Sequence, residues 1–254
     1  MLEPAENVVL QLFNILGARA LVTGGGSGLG RAMAIALRDA GAEVAIVGRS
    51  EKLLAGKRDG FVPVMRDLSV PEAAFQVVAE CVKSLGGLDI LVNAHGVATR
   101  AKAEEFDLTA WQNTVNINLV SVFRMCQAAG REFLRTGHGK IINIASMLSF
   151  SGGLNASAYA ASKGGIAQLT KALANEWAAR GVNVNAIAPG YFETPMTEPL
   201  RSDPVRNREI LDRLPARRWG KPQDLAGALL FLSSHASDYV HGMVLPVDGG
   251  WLAR

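Results

Sequence analysis

Short apolar runs and longer amphipathic segments alternate along the whole chain. Runs rich in Val, Ile and Leu lie at 18–24, 42–48, 61–67, 88–94, 140–146, 182–189 and 242–248. Segments with apolar residues at helical spacing lie at 28–40, 71–85, 108–136, 158–180 and 222–235. Strands that are apolar on both faces and alternate with helices are typical of a parallel sheet covered on both sides. The pattern therefore predicts an α/β fold.

The alternation continues without a break that would separate two domains. No internal repeat, low-complexity segment or linker interrupts it. We expect one domain over residues 12–254, which is long enough to bury a core of its own. Residues 1–11 are interpreted as an N-terminal extension, for which disorder is one interpretation, and no function is assigned to them.

Composition and charge exclude several classes of function. Of the 254 residues, 49% are hydrophobic, and no apolar run approaches the ~20 residues of a membrane span. The net charge is +3, but acids and bases are interspersed and only 6% of residues are aromatic. No nucleic-acid surface is therefore predicted. The first residues carry Glu3 and Glu6 rather than a basic region, so we expect a cytoplasmic protein without a signal peptide.

Cysteines and histidines are few and scattered. Cys81 and Cys126 lie in apolar helical segments and are interpreted as small buried hydrophobic residues of a reducing compartment. The four histidines show no ligand spacing. No metal site is predicted.

The stretch "SAYAASKGG" (157–165) places Tyr159 and Lys163 four residues apart at the start of a predicted helix. Such residues are neighbours on a helix surface. A cation held beside a phenol stabilises the phenolate, which could make Tyr159 a base near neutral pH. Taken alone, the pair could also be incidental on a solvated helix face.

A second motif, "TGGGSGLG" (23–30), joins the first predicted strand to the first predicted helix. A dinucleotide site needs glycine there because the backbone turns tightly and approaches the pyrophosphate at a helix N-terminus. The spacing differs from G-x-G-x-x-G, so the motif alone is a weak signal that its position strengthens.

Six motifs in order resemble those of the classical short-chain dehydrogenase/reductases. They are "TGGGSGLG", Asp67 after the third strand, "LVNAHG" (91–96), "NIAS" (143–146), "YAASK" (159–163) and "APG" (188–190). The resemblance covers the chain from about residue 12 to its end. It implies an α/β fold consisting of a single doubly wound Rossmann domain, with a seven-stranded, mostly parallel sheet and helices on both faces. It also implies a small substrate lid at about 191–216 and a homotetramer.

The resemblance assigns four catalytic residues. Tyr159 would exchange a proton with the substrate oxygen, and Lys163 would lower the Tyr159 pKa and bind the nicotinamide ribose. Ser146 would hold the substrate oxygen. Asn118 would anchor a water that links the lysine to solvent, with Asn116 as the alternative for that role.

The resemblance also assigns residues to an NAD(P) cofactor. They are Gly24, Ser27, Gly28, Leu29, Gly30, Arg49, Asp67, Leu68, Asn93, Ala94, Gly96, Tyr159, Lys163, Pro189, Gly190 and Thr194. The chain departs from the usual N-N-A-G motif by carrying Asn93-Ala94-His95-Gly96. His95 is interpreted as a packing residue rather than a catalytic one.

The choice between NADP and NAD depends on the end of the second strand. NAD-binding proteins normally place a carboxylate there, whereas this chain has Gly48 followed by Arg49. A guanidinium can pair with a 2′-phosphate, so the sequence favours NADP, with NAD also possible. An Arg49 that stacks on adenine would tolerate either cofactor.

Two features point to an acidic substrate. Residues 201–218 contain six arginines and three acidic residues, although these could form pairs on solvated helices. Arg100 follows the fourth strand, and the resemblance to sugar-acid 5-dehydrogenases of this family implies that it meets a substrate carboxylate beside Ser146 and Tyr159. The predicted activity is interconversion of a secondary alcohol and a ketone on a sugar acid. A 3-oxoacyl-type ketoreductase and a non-catalytic dinucleotide-binding regulator are the alternatives.

Overall fold

A computed structural model describes residues 8–49 and 59–253. Over these residues the seven predicted strands form one sheet with the order β3-β2-β1-β4-β5-β6-β7. The strands are β1 (Arg19–Thr23), β2 (Glu43–Gly48), β3 (Val62–Met65), β4 (Ile90–Asn93), β5 (Gly139–Ile144), β6 (Val182–Pro189) and β7 (Val244–Val247). Every pairing between them is parallel, so the expected doubly wound α/β sheet is confirmed.

Helices cover both faces of the sheet. They are α1 (Val8–Gln11), α2 (Gly28–Asp39), α3 (Ala73–Leu85), α4 (Leu108–Val115), α5 (Ser121–Thr136), α6 (Ser157–Trp177), α7 (Glu198–Arg201), α8 (Pro204–Arg213) and α9 (Ala226–Ser233). One core joins the sheet to α3, α5 and α6 through Val77, Met125 and Ile166. The other joins it to α2 and α9 through Met33 and Leu229.

Three predicted helices differ in detail from the structure. The segment 108–136 is not one α-helix, because a π-helical turn over Asn116–Val120 separates α4 from α5. The segments 158–180 and 222–235 each contain a 3-10 turn, over Ala178–Arg180 and Pro222–Leu225. Apolar periodicity does not distinguish these neighbouring helix types, since they present nearly the same face to the core.

The predicted N-terminal extension and the predicted lid both contain short helices in the structure. Val8–Gln11, at the end of the predicted extension, forms α1 with exposed side chains, and residues 1–7 lie outside the described part of the chain. The predicted lid at 191–216 contains α7 and α8. The division into extension, domain and lid stays a prediction.

The amino ends of β1, β4 and β5 are tied together by Asp89. Its carboxylate accepts hydrogen bonds from the Arg19 N–H (2.8 Å), Nε (2.7 Å) and Nη2 (2.7 Å), and lies 2.9 Å from His138 Nε2. Burial alone would raise the Asp89 pKa, but the bonds from Arg19 and His138 hold it at about 2. The ionised carboxylate therefore stabilises the fold.

We expect Asp89→Asn to lower the free energy of unfolding by about 2 kcal/mol at neutral pH. Because the folded-state pKa is depressed, the stabilisation is present above the unfolded-state pKa of 3.8 and disappears as the pH falls to about 2. The difference between native and variant protein in urea denaturation should therefore shrink over that range. Asp39→Asn is the control, since Asp39 is exposed and pairs only with its neighbour Arg38 among the described residues. Equal losses in both variants would contradict this assignment.

Candidate active site

A cleft opens at the carboxyl ends of β1 and β4, where the strand order reverses. Ligands of open α/β sheets bind at this switch point. The cleft has a volume of about 840 Å³. Most of the expected cofactor residues line it: Gly24, Ser27, Gly28, Leu29, Gly30, Arg49, Asp67, Leu68, Ala94, Gly96, Tyr159, Lys163 and Thr194.

The glycine-rich turn presents main chain, rather than side chains, to the cleft. Gly24 and Gly28 have φ angles of +69° and +55°, which favour glycine. A Cβ on Gly28 would meet only Pro195 Cδ, at 4.0 Å. Ser27 makes no side-chain capping bond to α2, so N–H groups of its first turn are left for a ligand. These donors, at the positive end of a 12-residue helix, fit a dinucleotide pyrophosphate.

Charged side chains lie where β2 and β3 end. Arg49 Nη1 is 3.7 Å from Asp67 Oδ2, and both side chains are exposed. The Asp67 carboxylate also accepts hydrogen bonds from the N–H (3.0 Å) and hydroxyl (2.8 Å) of Ser69. The bonds from Ser69 and the charge of Arg49 lower the Asp67 pKa. The adenosine end of the cleft thus has a fixed carboxylate and a guanidinium that can also reach solvent.

Tyr159 and Lys163 line the other end of the cleft and lie in the first two turns of α6. The Ser146 side chain is near enough to Tyr159 to lower its pKa, although Ser146 is not among the residues that line the cleft. Ser146 follows β5 and caps a 3-10 turn, where its hydroxyl accepts the Leu148 N–H at 3.1 Å. The structure thus brings together the tyrosine, lysine and serine that the sequence predicts.

The expected effect of Lys163 on Tyr159 is not found. Burial raises the Tyr159 pKa above its usual value, and the groups that oppose this rise are Ser146 and Arg100. The Lys163 ammonium instead donates a 2.5 Å hydrogen bond to the Ile144 carbonyl and lies 5.8 Å from the centre of the Tyr159 ring. That Lys163 lowers the Tyr159 pKa therefore stays a prediction.

Lys163 is itself strongly affected by its surroundings. Its side chain is almost fully buried, and burial lowers its pKa to about 8. The Ile144 carbonyl stabilises the ammonium and fixes its position between β5 and α6. A lysine with a pKa this close to neutral can exchange a proton with little cost in free energy.

Ser149 connects Ser146 to the helix that carries Tyr159 and Lys163. Its hydroxyl donates to the Lys163 carbonyl at 2.6 Å and accepts the Ser146 N–H at 3.2 Å. Both groups would otherwise be orphan main-chain atoms close to the site. The sequence analysis missed this serine, although its spacing of three from Ser146 matches a capping box.

Asn118 lies in the π-helical turn and is completely buried. Its amide donates to the Val97 carbonyl (2.9 Å) and the Ser162 hydroxyl (3.1 Å) and accepts the Val97 N–H (2.8 Å). Both amide protons are therefore used to hold the π turn against α6 and the loop after β4. The predicted water-holding role stays a prediction, and the side chain has no donor left for it.

Three expected cofactor residues lie behind the cleft wall. The Asn93 amide donates to Asn143 Oδ1 at 2.9 Å between β4 and β5. Pro189 is buried at the end of β6, and the Gly190 N–H donates to the Val247 carbonyl at 3.0 Å. A Cβ on Gly190 would lie 2.6 Å from Asp248 Cα, so close packing explains this glycine. Direct cofactor contacts from these three residues stay predictions.

Arg100, the expected substrate residue, is exposed and is not among the residues that line the cleft. Its charge is near enough to lower the Tyr159 pKa. No carboxylate of the described residues lies within ion-pair distance of it. Other lining residues were not predicted from the sequence, namely Arg66, Ser69, Ile117, Pro195 and Met196. They lie beside recognised motifs but carry no spacing signal of their own.

A parallel sheet with a glycine-rich turn at its switch point, and with a Tyr–Lys–Ser cluster beside it, defines a dinucleotide-binding protein equipped for proton transfer. No helix in the described ranges is both long and apolar enough to cross a membrane. Within the same ranges, no cluster of three or more His, Cys, Asp or Glu side chains could hold a metal ion.

Comparison with known proteins agrees with this class. A family model described as enoyl-(acyl carrier protein) reductase matches residues 24–252. The chain is 49% identical to the 2-dehydro-3-deoxy-D-gluconate 5-dehydrogenase of Bacillus subtilis, over 95% of this chain and 97% of that protein. It is 48% identical to the enzyme of the same name from Dickeya dadantii, over 97% and 100%.

A solved structure is similar over nearly the whole chain. It is a gluconate 5-dehydrogenase from Burkholderia cenocepacia in complex with NADP and tartrate. The TM-score is 0.92 at 37% identity, covering 97% of this chain and 99% of that one. The chain belongs to the short-chain dehydrogenase/reductase family, and it is an NAD(P)-dependent oxidoreductase.

Proposed function

We propose that this enzyme interconverts a secondary alcohol and a ketone on a sugar acid and prefers NADP to NAD. The observation that carries the proposal is the exposed guanidinium of Arg100, whose charge reaches Tyr159. A substrate whose reacting oxygen lies at Tyr159 would place a nearby carboxylate within reach of Arg100. The names of the relatives and the tartrate in the related structure support an acidic substrate.

The chain's own residues would bind the reacting oxygen and transfer its proton. When bound, the nicotinamide supplies or accepts the hydride. Because burial raises the Tyr159 pKa, its hydroxyl is protonated at neutral pH and can donate to the oxygen of a ketone that is being reduced. Ser146, whose side chain is near enough to lower the Tyr159 pKa, would hold the same oxygen. Lys163 would stabilise the phenolate that forms and pass a proton back to it.

The preference for NADP is inferred from the end of β2. Gly48 ends this strand, so no side chain there repels a 2′-phosphate, and Arg49 follows at the cleft wall. Asp67 lies close enough to orient the Arg49 guanidinium while its other oxygen stays bonded to Ser69. Arg49 can therefore pair with a phosphate without a large rearrangement.

The arginines of the segment 201–218 are less suited to substrate binding than Arg100. Arg206 pairs with Glu209, Arg208 with Asp212 and Arg218 with Asp224. Paired and exposed groups of this kind contribute little electrostatic attraction. They match the alternative interpretation of the arginine-rich segment as solvated short helices.

Arg100→Ala tests the substrate. The absorbance of NADPH and NADH at 340 nm would be followed with gluconate, 2-dehydro-3-deoxygluconate, their 5-keto counterparts, a neutral sugar alcohol and an acyl ketone. We expect the native enzyme to turn over the acids with a higher kcat/KM for NADP. Loss of a charge-assisted pair should raise KM for an acid about 10- to 100-fold in Arg100→Ala. The matched control is Lys102→Ala, because Lys102 is a nearby exposed cation paired with Glu105.

Two results would contradict the proposal. Turnover confined to the acyl ketone would indicate a 3-oxoacyl-type reductase, and unchanged KM values in Arg100→Ala would remove the carboxylate contact. A higher kcat/KM with NAD would contradict only the role proposed for Arg49.

We also propose a homotetramer in the cytoplasm. Exposed Phe123 on α5, together with the uncrowded Gly164 on α6, supports burial against other copies.

A further inference from the structure

His95 lines the cleft at a position where the family motif usually has alanine. It follows β4 by two residues and packs against the glycine-rich turn, because a Cβ on Gly24 would lie 3.0 Å from both His95 Cα and His95 N. The imidazole lies between the end of β1 and the start of α5, directly after the π-helical turn. Packing alone does not explain why the ring carries two short polar contacts.

Each ring nitrogen has one close hydroxyl partner. Nδ1 is 2.7 Å from the Thr23 hydroxyl oxygen at the end of β1. Nε2 is 2.6 Å from the Ser121 hydroxyl oxygen at the start of α5. The ring thus bridges β1 and the end of the π-helical turn that contains Asn118.

The surrounding hydrogen bonds assign the tautomer. Ser121 donates its only hydroxyl proton to the Ile117 carbonyl at 2.6 Å, so it must accept a proton from His95 Nε2. In a neutral ring Nδ1 is then the acceptor, and Thr23 donates to it at 2.7 Å rather than to the Val92 carbonyl, which lies 3.3 Å from the same hydroxyl oxygen. The Thr23 oxygen in turn accepts the Ala94 N–H at 3.0 Å. The bonds run in one direction, from Ala94 through Thr23, His95 and Ser121 to Ile117.

This direction depends on a neutral ring. Burial, together with the charge of Lys163, lowers the His95 pKa to about 3. The ring is therefore neutral, with a single proton, at neutral pH. At both ends of the chain of bonds, the residues Ala94 and Ile117 line the cleft.

We propose that His95, as its Nε2–H tautomer, is a positioning residue that ties the glycine-rich turn to the π-helical turn and thereby sets the affinity for the dinucleotide. The inference does not depend on which substrate the enzyme takes. Removing the ring would leave the Ser121 oxygen without its donor and would leave the Thr23 hydroxyl without its acceptor on the ring. The direct link between the end of β1 and the start of α5 would then be lost.

The test is a fluorescence titration of NADPH with the full-length enzyme. His95→Ala should raise the Kd about tenfold, which corresponds to one lost hydrogen bond of a well-packed group. His95→Gln can still donate to Ser121 and His95→Asn can still accept from Thr23, so both should have Kd values between those of the native enzyme and His95→Ala. KM for NADP should rise with the Kd, whereas kcat at saturating cofactor should change less.

The control is His235→Ala. His235 is an exposed histidine whose partner Asp238 also pairs with Lys140 at the amino end of β5. The cleft lies at the carboxyl ends of the strands, so His235 is far from it. A His95→Ala enzyme that melts earlier but binds NADPH as tightly as the native enzyme would overturn the proposal. If His95→Ala does not fold, ¹⁵N spectra of the histidine-labelled native enzyme decide the matter. A proton on His95 Nδ1 at neutral pH would overturn the proposal, and a proton on Nε2 alone would support it.

Discussion

Tyr159→Phe is expected to lower kcat about 10³-fold while leaving the Kd for NADPH nearly unchanged. The phenylalanine ring keeps nearly the volume of the tyrosine and removes only its hydroxyl. Burial favours the protonated form of that hydroxyl, so the variant loses the proton donor that we propose. Turnover and cofactor binding should therefore separate in this variant, which a dinucleotide-binding regulator without catalysis would not show.

Tyr239→Phe is the matched control, because Tyr239 is fully exposed and its hydroxyl has no role in the cleft. It should behave as the native enzyme in both measurements. Single-turnover absorbance at 340 nm measures the chemical step, and NADPH fluorescence measures binding. If Tyr159→Phe retained a kcat similar to that of the control, Tyr159 would not be the proton donor.

Gly30→Ala is expected to weaken NADPH binding about 100-fold and to lower the free energy of unfolding by about 2 kcal/mol. Gly30 lies in the first turn of α2, where alanine is otherwise the better helix former. A Cβ at this position would lie 2.4 Å from the Gly24 carbonyl oxygen, however, and 2.8 Å from its carbonyl carbon. Both are main-chain atoms of the turn that faces the pyrophosphate, so relief of the clash requires the turn to move.

Gly227→Ala is the control, because it measures the effect of a glycine-to-alanine change in a helix where no clash occurs. Gly227 lies in α9, and a Cβ there would meet no heavy atom of the described residues within 4 Å. We expect this control to be neutral or slightly stabilised. NADPH titration and urea denaturation of both variants measure the two effects. Native affinity in Gly30→Ala would show that the turn tolerates the displacement and that its main chain is not the binding surface.

The overall fold could be predicted from the sequence because strands that are buried on both faces of the sheet appear as short continuous apolar runs. Each of the seven apolar runs contains one strand of the sheet. The glycines at 24, 28 and 30 were also recognisable, since backbone geometry restricts those positions more than side-chain chemistry does. Tyr159 and Lys163 were found through helical spacing, which the structure keeps.

The remaining features depend on contacts between distant segments. The π turn at Asn116–Val120 is compatible with the same apolar periodicity as a continuous helix. The Lys163 ammonium turns to Ile144, nineteen residues earlier in the chain, and no local spacing indicates this partner. The bridging role of Ser149 and the proton position on His95 require the hydrogen-bond network itself. Sequence patterns indicate which groups are present, whereas their protonation depends on the assembled surroundings.

The packing of α6 against the π turn restricts how this site can vary in evolution. A Cβ on Gly165 would lie 2.7 Å from Leu119 Cδ2, next to Asn118 in the chain. Leu119 therefore fits into the notch that Gly165 leaves in α6, two residues after Lys163. A larger residue at 165 would displace the Leu119 side chain, so substitutions at the two positions are coupled. A descendant of this chain that gains a side chain at 165 must therefore also move or shorten the side chain at 119, whereas a smaller residue at 119 needs no change at 165.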